Sequence, residues 1–441
     1  MKAKTMTALV GVALAVSACG SGGGAQGTPA SSGAVSRPEA YARCMRAHGV
    51  RNFPNPVDGQ IILGADLDPE SPQFQAAARA CVALAPPGTP TGHQASGAGS
   101  AGSRTKLSAA AWRAFGSWLA QRAAAGQFSG AVLVADKGTT ILDAGYGTAD
   151  HETGVPNTPQ TKFCIASIGK LFTAVAIAQL AEQHKLSFAD TIGKYLSGFA
   201  PAIADHVTIA DLLDMTSGLG DVVLGRPDPP VTLAGMLRLI AREPLQFRPG
   251  SRFGYSNDGY IVLGAVIQAV TGQSYGTYLR GHIFDPAGMT DTEVSVYTPA
   301  RVPRMAHGYA SGGSQVPRDI SGTPQVANPS GGAYSTVGDL LKFADALMDH
   351  KLLSPAMTST VLAPRVNSPQ PGGPPVDEYT YGFAYQAING VTFVGHNGGT
   401  PGYQGQIDVY PLTGYTVVIL TNDDQSLVPA IQRSEAMITA G

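Results

Sequence analysis

The sequence has no surplus of charge of either sign. Its 29 Lys and Arg residues nearly balance 31 Asp and Glu residues, which leaves a formal net charge of −2. A chain so close to neutral offers no extended basic surface for nucleic acid or another polyanion. Beyond the first 18 residues there is no apolar run of transmembrane length, and no cluster of His, Cys and Glu has the spacing of metal ligands. We therefore expect a globular protein that needs no metal or cofactor and binds no nucleic acid.

Cysteine is also scarce, with four residues in the chain. The first of them closes a predicted export signal over residues 1–18, in which Lys2 and Lys4 precede an apolar run from Met6 to Val16. The end of that signal, Val16-Ser17-Ala18-Cys19, resembles the lipobox of bacterial lipoproteins. The resemblance implies cleavage before Cys19, lipid modification of Cys19, and a protein held on the extracytoplasmic face of the cell membrane. The alternative is a simple secretory signal with a coincidental cysteine.

Two linkers flank a small cysteine-containing module. Residues 19–37 are rich in Ser and Gly and predict a flexible tether, and residues 87–106 predict a second linker. Between them, the module at 38–86 contains Cys44 and Cys81, and a disulfide in an export setting would close a loop of about 37 residues and contribute roughly 4 kcal/mol. A module of about 50 residues buries little surface, so it would benefit from that cross-link. The pattern resembles a two-cysteine segment of actinobacterial lipoproteins; the alternative is a partly disordered spacer.

The remaining residues, 107–441, have strand-like segments near both ends and a mostly helical middle at 185–300. The predicted elements are a helix at Leu107–Ala125, strands at 130–138, 139–147, 381–386, 391–394, 404–410 and 415–420, and a closing helix at Leu427–Thr439. Strands from distant segments imply one antiparallel sheet with helices packed on it, which is an α+β fold.

One segment of this domain carries the chemistry of a nucleophile. Ser167 and Lys170 begin an Ala- and Leu-rich stretch without Pro that predicts a buried helix, and their spacing places them on one helix face. A helix N-terminus favours an oxyanion, and a desolvated lysine amine can take the proton of a serine hydroxyl. We therefore predict that Ser167 attacks and that Lys170 helps to activate it. A second Ser-x-x-Lys, at residues 103–106, lies in the predicted linker with no helix after it.

Two further motifs lie where catalytic partners would be needed. Tyr255-Ser256-Asn257 is on a loop before the apolar helix Ile261–Val270. His396-Asn397-Gly398-Gly399 follows the predicted strand Val391–Val394. Taken singly, each has an ordinary interpretation: a half-buried tyrosine, a surface histidine and a glycine turn.

Together and in this order, Ser-x-x-Lys, Tyr-x-Asn and His-x-Gly resemble the serine β-lactamase-like hydrolases of the class C type. That group contains class C β-lactamases, D-alanyl-D-alanine carboxypeptidases and family VIII esterases. The resemblance covers residues 108–440 and implies a β-lactamase/transpeptidase-like fold. It also implies that Tyr255, Asn257 and His396 are catalytic, with Asn257 orienting the lysine and the substrate.

The resemblance further implies an oxyanion hole formed by the backbone N–H groups of Ser167 and Gly399, with Gly398 in the substrate-binding segment. The third motif departs from the family, since class C β-lactamases have Lys-Thr-Gly in place of His396-Asn397-Gly398. Gly399 also lacks the hydroxyl that often binds a substrate carboxylate. Both departures weaken the case for β-lactam hydrolysis and leave peptidase and esterase activities open.

The identity of the base stays open. A phenol with a pKa near 10 must lose about 3 units to act at neutral pH, which costs roughly 4 kcal/mol. One cation at contact distance supplies about that much. Lys170, with His396 when protonated, would then hold Tyr255 as a phenolate that deprotonates Ser167. Neutral Lys170 is the other candidate.

We thus expect a lipid-anchored serine hydrolase that acts on a small-molecule or peptide amide or ester through an acyl-enzyme. The alternative is a penicillin-binding or sensor protein that acylates with little turnover. An α/β-hydrolase is a weaker rival: Gly272-Gln273-Ser274-Tyr275-Gly276 matches Gly-x-Ser-x-Gly, but the segment before it predicts a helix where that chemistry needs a strand. Cys164 is expected to be a small buried residue beside the site.

Overall fold

The computed structural model describes residues 37–48, 50, 51, 53–55, 74, 77, 81, 106–224, 226, 231–311, 317–368 and 376–440. These residues belong to two compact units, Met1–Gly102 and Ser103–Gly441. The predicted signal, Cys19, the tether up to residue 36 and the linker up to residue 105 lie outside the described residues. None of the helices in the described ranges combines the length and the hydropathy needed to span a membrane.

The N-terminal unit contains helix α1, Arg37–Ala47, so this helix begins one residue before the predicted module. Tyr41 and Met45 of the helix are buried against Phe53 and Phe74. The predicted pair of cysteines is joined in a disulfide between residues 44 and 81, with the two Cα atoms 5.7 Å apart. This bond ties α1 to the helical residues at 74, 77 and 81.

The second unit is built on strands from both ends of its sequence. The strands are β1 Gly130–Asp136, β2 Thr139–Tyr146, β3 Thr148–Asp150, β4 Val155–Pro156, β5 Phe163–Cys164, β6 Val296–Tyr297, β7 Tyr309–Ala310, β8 Arg318–Asp319, β9 Gln325–Val326, β10 Tyr334–Ser335, β11 Val366–Asn367, β12 Val376–Tyr379, β13 Ala384–Ile388, β14 Val391–Thr400, β15 Tyr403–Val409 and β16 Tyr415–Thr421. The main sheet has eight strands in the order β11-β12-β13-β14-β15-β16-β1-β2. All adjacent strands of this sheet are antiparallel. As expected, β1 near the start of the unit pairs with β16 near its end.

Helices cover the sheet and fill the middle of the sequence. They are α2 Ala109–Ala124, α3 Lys170–Glu182, α4 Pro201–Ala204, α5 Ile209–Leu213, α6 Leu233–Ile240, α7 Asn257–Thr271, α8 Tyr275–Leu279, α9 Asp285–Ala287, α10 Val337–Met348, α11 Pro355–Leu362 and α12 Leu427–Thr439. Helix α3 is buried on every side from Lys170 to Leu180, because its sequence is apolar all round. The helix therefore lies in the core, and the packing around it excludes solvent from Lys170, its first residue.

The two faces of the main sheet carry two separate hydrophobic clusters. Along β1, Leu133 packs into the cluster that contains α3, whereas Val132 and Val134 pack into the cluster that contains Trp112 of α2. Every residue of β1 is buried. A strand covered on both faces has no need of polar alternation, and this explains the uninterrupted apolar run of its sequence.

Two sequence predictions change in the structure. The predicted strand Val391–Val394 continues through the His-x-Gly motif to Thr400, so the motif is part of β14 and not a turn after it. The Gly-x-Ser-x-Gly segment follows helix α7, which ends at Gly272 with φ +70°, and Ser274 is the exposed N-cap of α8. With no strand leading into Ser274, the α/β-hydrolase alternative is wrong.

Candidate active site

The predicted nucleophile lies on a short turn between a strand and the buried helix. Ser167 is half-buried in a 3₁₀ turn, Ala166–Gly169, that runs directly into α3. Ala166 has φ +43°, a strained value for a residue with a side chain. Hydrogen bonds hold this conformation: the Ala166 carbonyl accepts from the N–H of Gly332, and the Ile165 N–H donates to the carbonyl of Ala333. The serine thus projects from a rigid corner that precedes the regular helix.

A glycine makes the close approach to that corner possible. Gly331 has φ +154°, and a Cβ built on it would lie 2.5 Å from the carbonyl oxygen of Ala166. The segment 330–332 therefore packs with its backbone directly on the nucleophile turn. Its Ser330 carbonyl is brought to the first turn of α3 by the same contact.

Lys170 is completely buried and has three polar partners. Its Nζ lies 3.0 Å from Ser167 Oγ, 2.6 Å from Asn257 Oδ1 and 2.7 Å from the carbonyl oxygen of Ser330. Burial lowers the pKa of the Lys170 amine to about 7, while the carboxylate of Asp221 acts in the opposite direction. Near neutral pH the amine therefore exists in both the charged and the neutral form.

The Tyr-x-Asn motif brings the third group to the same point. Tyr255 donates its hydroxyl to Ser167 Oγ at 3.0 Å, and Lys170 Nζ lies 4.9 Å from the centre of the Tyr255 ring. Ser256 caps α7 through the N–H of Gly259, which makes Asn257 the first residue of that helix. The loop and the helix cap together fix both side chains of the motif.

The electrostatics of Tyr255 differ from those expected of a resident phenolate. Tyr255 is 40% exposed as a residue, but its hydroxyl end points inward to Ser167 Oγ. Burial of that end raises the pKa of Tyr255, the hydrogen bond with Ser167 lowers it by less, and Asp221 raises it further. The shifts of the two groups favour a protonated Tyr255 and a neutral Lys170 over the reverse pair.

Sequence reasoning missed two carboxylates that position Asn257. Asp221 accepts the backbone N–H of Asn257 at 2.5 Å and its Nδ2 at 3.2 Å. Asp258 is buried and accepts the N–H groups of Val222 and Val223 at 2.7 and 3.3 Å. The two aspartates bind the 221–223 loop and the start of α7 to each other. No pattern in the sequence pairs Asp221 with a helix that begins 36 residues later.

His396 lines the larger space beside Ser167. The imidazole is buried, its Nε2 lies 3.0 Å from the hydroxyl of Tyr379, and its Nδ1 lies 2.5 Å from the carbonyl oxygen of Asn397. Burial first, and then the charge of Lys170, lower the pKa of His396 to about 3. The lowered pKa disfavours the protonated His396 on which the phenolate alternative for Tyr255 would draw. Tyr379, its partner, was also missed.

The two glycines of the third motif differ in their surroundings. A Cβ on Gly398 would lie 2.3 Å from the carbonyl oxygen of Ile165 and 3.0 Å from the backbone nitrogen of Ser167. A Cβ on Gly399 would meet nothing within 4 Å. Strand β13 pairs with β14 only as far as Gly395, so residues 396–400 border the site on that side. The strand segment around Gly398 thus lies directly beside the nucleophile turn.

Ser167 lies between two cavities. The larger, of about 630 Å³, is bordered by Tyr255, His396 and Gly398 and extends under α12. The smaller, of about 270 Å³, is bordered by Asn257 and Ser330. Both include Ser167 and Gly399 in their walls, so a substrate with its carbonyl at the serine would place one half in each. This arrangement suits acyl transfer.

Neither Cys164 nor the Cys44–Cys81 pair offers a reactive thiol. Cys164 is buried, and burial raises the pKa of its thiol, so it is not an activated nucleophile. Among the described residues, one group has the mutual distances of metal ligands, namely Cys44, His48 and Cys81 of the N-terminal unit. Its two sulfur atoms are joined in the disulfide.

Fold and site together define a serine hydrolase with a Ser-Lys-Tyr centre. The sequence profile of the Beta-lactamase family matches residues 115–441, and the chain belongs to that family. It is similar to a penicillin-binding protein of Bacillus halodurans, with a TM-score of 0.65, 31% identity, and coverage of 72% of this chain and 98% of that one.

Two other relatives carry names that describe a substrate. A teichoic acid D-alanine hydrolase of Staphylococcus aureus is 29% identical over 297 residues, which are 67% of this chain and 70% of that protein. A D-amino acid amidase of Ochrobactrum anthropi SV3, solved with L-phenylalanine amide, has a TM-score of 0.67 and 25% identity, covering 75% of this chain and 98% of its own. The predicted fold, the resemblance to the β-lactamase-related hydrolases and the assignment as a serine hydrolase are confirmed.

Proposed function

We propose that this protein hydrolyses an ester or amide of a D-amino acid through an acyl-enzyme on Ser167. The observation that carries the proposal is the position of Ser167 Oγ, 3.0 Å from both Lys170 Nζ and the Tyr255 hydroxyl. The names of the staphylococcal D-alanine hydrolase and of the D-amino acid amidase support the D-aminoacyl part of it.

Lys170 is the base in this proposal, and its contacts give the reason. Asn257 Oδ1 and the Ser330 carbonyl oxygen accept hydrogen bonds and have no hydrogen to give. A neutral amine has two hydrogens, which these two acceptors take. Its lone pair is then left for the third partner, the hydroxyl of Ser167. The two acceptors thereby orient the amine for proton abstraction.

Each proton in the proposed reaction has a donor and an acceptor. The Ser167 hydroxyl proton moves to Lys170 as Oγ forms a bond to the substrate carbonyl carbon, and the oxyanion faces the backbone N–H groups of Ser167 and Gly399. Tyr255 gives its proton to the leaving oxygen or nitrogen as the scissile bond breaks, and the Lys170 proton restores the phenol. A water molecule repeats the sequence on the acyl-enzyme, with Lys170 as base, and releases the acid and free Ser167.

The site of action is the second part of the proposal: lipid attachment at Cys19 on the extracytoplasmic face of the membrane. The basic, apolar and cysteine-ended sequence of residues 1–19 supports it, and a disulfide between Cys44 and Cys81 suits an oxidising compartment. Expression in a bacterial host with radiolabelled palmitate tests it. The full chain should incorporate label, Cys19→Ala should not, and Cys164→Ala should. Equal labelling of all three would refute lipidation at Cys19.

The activity is tested on the full chain with a panel of small substrates. N-acetyl-D-alanine esters, D-alanine amide, nitrocefin and an acyl-D-Ala-D-Ala peptide are incubated with wild type, Ser167→Ala and Ser274→Ala. We expect turnover of the D-alanyl ester or amide by wild type and by Ser274→Ala, and none by Ser167→Ala. A fluorescent penicillin that labels Ser167 without turnover of any substrate would instead support the sensor function.

A further inference from the structure

One of the two acceptors of Lys170 belongs to a short turn that lies against helix α3. Residues 328–331 form this turn, and two reciprocal hydrogen bonds close it: the Asn328 N–H donates to the Gly331 carbonyl and the Gly331 N–H donates to the Asn328 carbonyl, each at 2.9 Å. The turn presents the Ser330 carbonyl oxygen to Lys170 Nζ at 2.7 Å. Groups that hold the turn in place therefore also hold an acceptor of the proposed base.

The carbonyl before Ser330 is anchored to the same helix. Thr173 donates its hydroxyl to the Pro329 carbonyl at 2.6 Å, and the hydroxyl of Tyr275 lies 2.6 Å from the same threonine oxygen. Because a carbonyl can only accept, the single hydroxyl hydrogen of Thr173 goes to Pro329, and Tyr275 is the donor to Thr173. Thr173 lies three residues after Lys170, so the two side chains share one helix face. Two consecutive carbonyls of the turn thus accept from two side chains one helical turn apart.

The side chain of Asn328 holds the Ser330 carbonyl from inside the turn. Its Oδ1 accepts from the Ser330 N–H at 2.9 Å and from the Ser330 hydroxyl at 2.7 Å. Since a backbone N–H can only donate, the amide oxygen of Asn328 must face Ser330. The N–H and the carbonyl of Ser330 flank one Cα atom, so fixing the first restricts rotation of the second.

A glycine lets the turn pack on the helix that carries the other acceptor. A Cβ built on Gly264 would lie 2.0 Å from Cγ of Pro329, so the proline ring lies directly on the backbone of α7. Helix α7 begins with Asn257, whose Oδ1 is the second acceptor of Lys170. Both acceptors of the amine therefore belong to one packed unit.

Asn328 also borders the smaller cavity, but its polar atoms are engaged within the protein. Two donors of Ser330 occupy its Oδ1, and its Nδ2 donates to the carbonyl of Val326 at 3.3 Å. An amide oxygen with two donors has no lone pair left for a substrate. We therefore expect Asn328 to affect kcat and not KM.

We propose that Asn328 and Thr173 are positioning residues that hold the 328–331 turn so that it orients the Lys170 amine toward the nucleophile. This role rests on the proposed function, in which Lys170 removes the proton of Ser167. The Ser330 carbonyl takes one amine hydrogen, and the lone pair faces Ser167 Oγ only while that carbonyl stays in place. Both positioning residues act on the amine through the turn.

Paired substitutions test the proposal on the full chain with the N-acetyl-D-alanine ester that wild type hydrolyses. Asn328→Ala removes the acceptor of Ser330, and Thr173→Val removes the donor to Pro329. Each should lower kcat about tenfold and change KM by less than about twofold, because a displaced base weakens the transition state and not substrate binding. Asn328→Asp keeps the acceptor oxygen and Thr173→Ser keeps the hydroxyl. At pH 9, where the Lys170 amine is neutral, both should retain kcat within about threefold of wild type.

Thr358→Val is the matched control, since it removes a buried hydroxyl from α11, away from both cavities. Its kcat should equal that of wild type. Asn328 is half-buried, so its variants can be assayed even if a change at the fully buried Thr173 prevents folding. Wild-type kcat in both Asn328→Ala and Thr173→Val would overturn the inference, and so would an equal loss in Thr358→Val or equal rates of the Ala and Asp variants at 328.

The acid limb of the pH profile separates positioning from a general loosening of the fold. A hydrogen bond to the Ser330 carbonyl is stronger from the charged amine, so displacement of that carbonyl lowers the Lys170 pKa below its value of about 7. The acid limb of Asn328→Ala should therefore move to lower pH. A loosened fold would admit water, relieve the burial that lowers this pKa, and move the limb to higher pH. That result would overturn the inference.

The other ionisable groups near the amine are Asp221, Tyr255, Tyr260 and His396. Burial raises the pKa of both phenols and lowers that of the imidazole to about 3, so these three groups stay neutral between pH 5 and 9. The substitution changes none of the four. Absence of turnover of every ester and amide by wild type would refute the proposed function itself, whereas an active wild type with an equally active Asn328→Ala and Thr173→Val would refute this inference alone.

Discussion

Asp221→Asn is the most informative perturbation of the catalytic centre, because it changes a charge without touching the nucleophile or its base. Asn257 bridges the two charged groups, with Oδ1 2.6 Å from Lys170 Nζ and Nδ2 3.2 Å from Asp221 Oδ2. Two such contacts on either side of one amide place the charges roughly 7 Å apart. The Asp221 carboxylate raises the pKa of Lys170, so its removal must lower that pKa.

The size of the shift follows from Coulomb's law. At roughly 7 Å the interaction is about 0.6 kcal/mol for an effective dielectric constant of 80 and about 2.4 kcal/mol for one of 20. At about 1.4 kcal/mol per pH unit, these limits correspond to about 0.4 and 1.7 units. Because Asp221 is exposed, water and salt screen the interaction, and we expect a shift of about half a unit to one unit.

The sign is fixed by the chemistry. Only the neutral amine of Lys170 accepts the serine proton, so kcat/KM falls as the pH drops through the Lys170 pKa of about 7 in wild type. A lower pKa keeps the amine neutral in more acidic solution. The acid limb of the Asp221→Asn profile should therefore move to lower pH, and the variant should retain a larger fraction of its maximal rate at pH 6 than wild type does.

The assay is ester hydrolysis from pH 5 to 9, with the product quantified after quenching at alkaline pH. Asp205→Asn is the control, since it removes the same charge from the exposed residue after α4. At about 1 M salt, where the Debye length is about 3 Å, the difference between wild type and Asp221→Asn should largely vanish. An acid limb that stays in place at low salt, or moves to higher pH, would refute the electrostatic account of Lys170.

Three further outcomes test the remaining parts of the site. Lys170→Ala and Tyr255→Phe should each lower kcat about a thousandfold with an unchanged circular dichroism spectrum, and an intact rate would remove that residue from the mechanism. Gly398→Ala should lower kcat/KM about a hundredfold, because the added methyl group would collide with a backbone carbonyl beside the nucleophile. Gly399→Ala has free space for its methyl group, so its kcat/KM should stay within about threefold of wild type. Equal effects of the two substitutions would contradict the close approach of β14 to the nucleophile turn. His396→Asn should leave the acid limb where it is, because burial keeps the imidazole neutral down to a pKa of about 3, and a displaced limb would mean that the histidine titrates during turnover.

Much of the site was accessible from the sequence because its chemistry is carried by short motifs. Ser167 and Lys170 share a helical spacing, so local geometry alone brings them together. Tyr255 and Asn257 precede an apolar helix with a serine cap, which fixes them as a pair. The apolar composition of α3 also predicted that its lysine is desolvated, the condition for a pKa near neutrality.

The charge states and the second layer of contacts were not accessible in this way. One of the two open alternatives for the base used His396 in its protonated form, since histidine titrates near neutrality, but its pKa depends on how deeply β14 is covered and on the distance to Lys170. Asp221 and Tyr379 act through contacts with residues 36 and 17 positions away, and no local pattern specifies those contacts. The position of β14 relative to the nucleophile turn depends on one glycine whose neighbour is 233 residues earlier in the chain.

The sequence by itself determined the candidate residues, the class of serine hydrolase, and the alternation of strands and helices that builds the fold. These properties are encoded in residue type and in spacings of a few positions, where covalent geometry and hydrophobic periodicity act directly. Only the tertiary structure decided which groups are buried, and it alone brought Asp221 to Asn257, Tyr379 to His396, and two cavities to Ser167. Desolvation and through-space electrostatics depend on neighbours from distant segments, and folding alone brings those neighbours together.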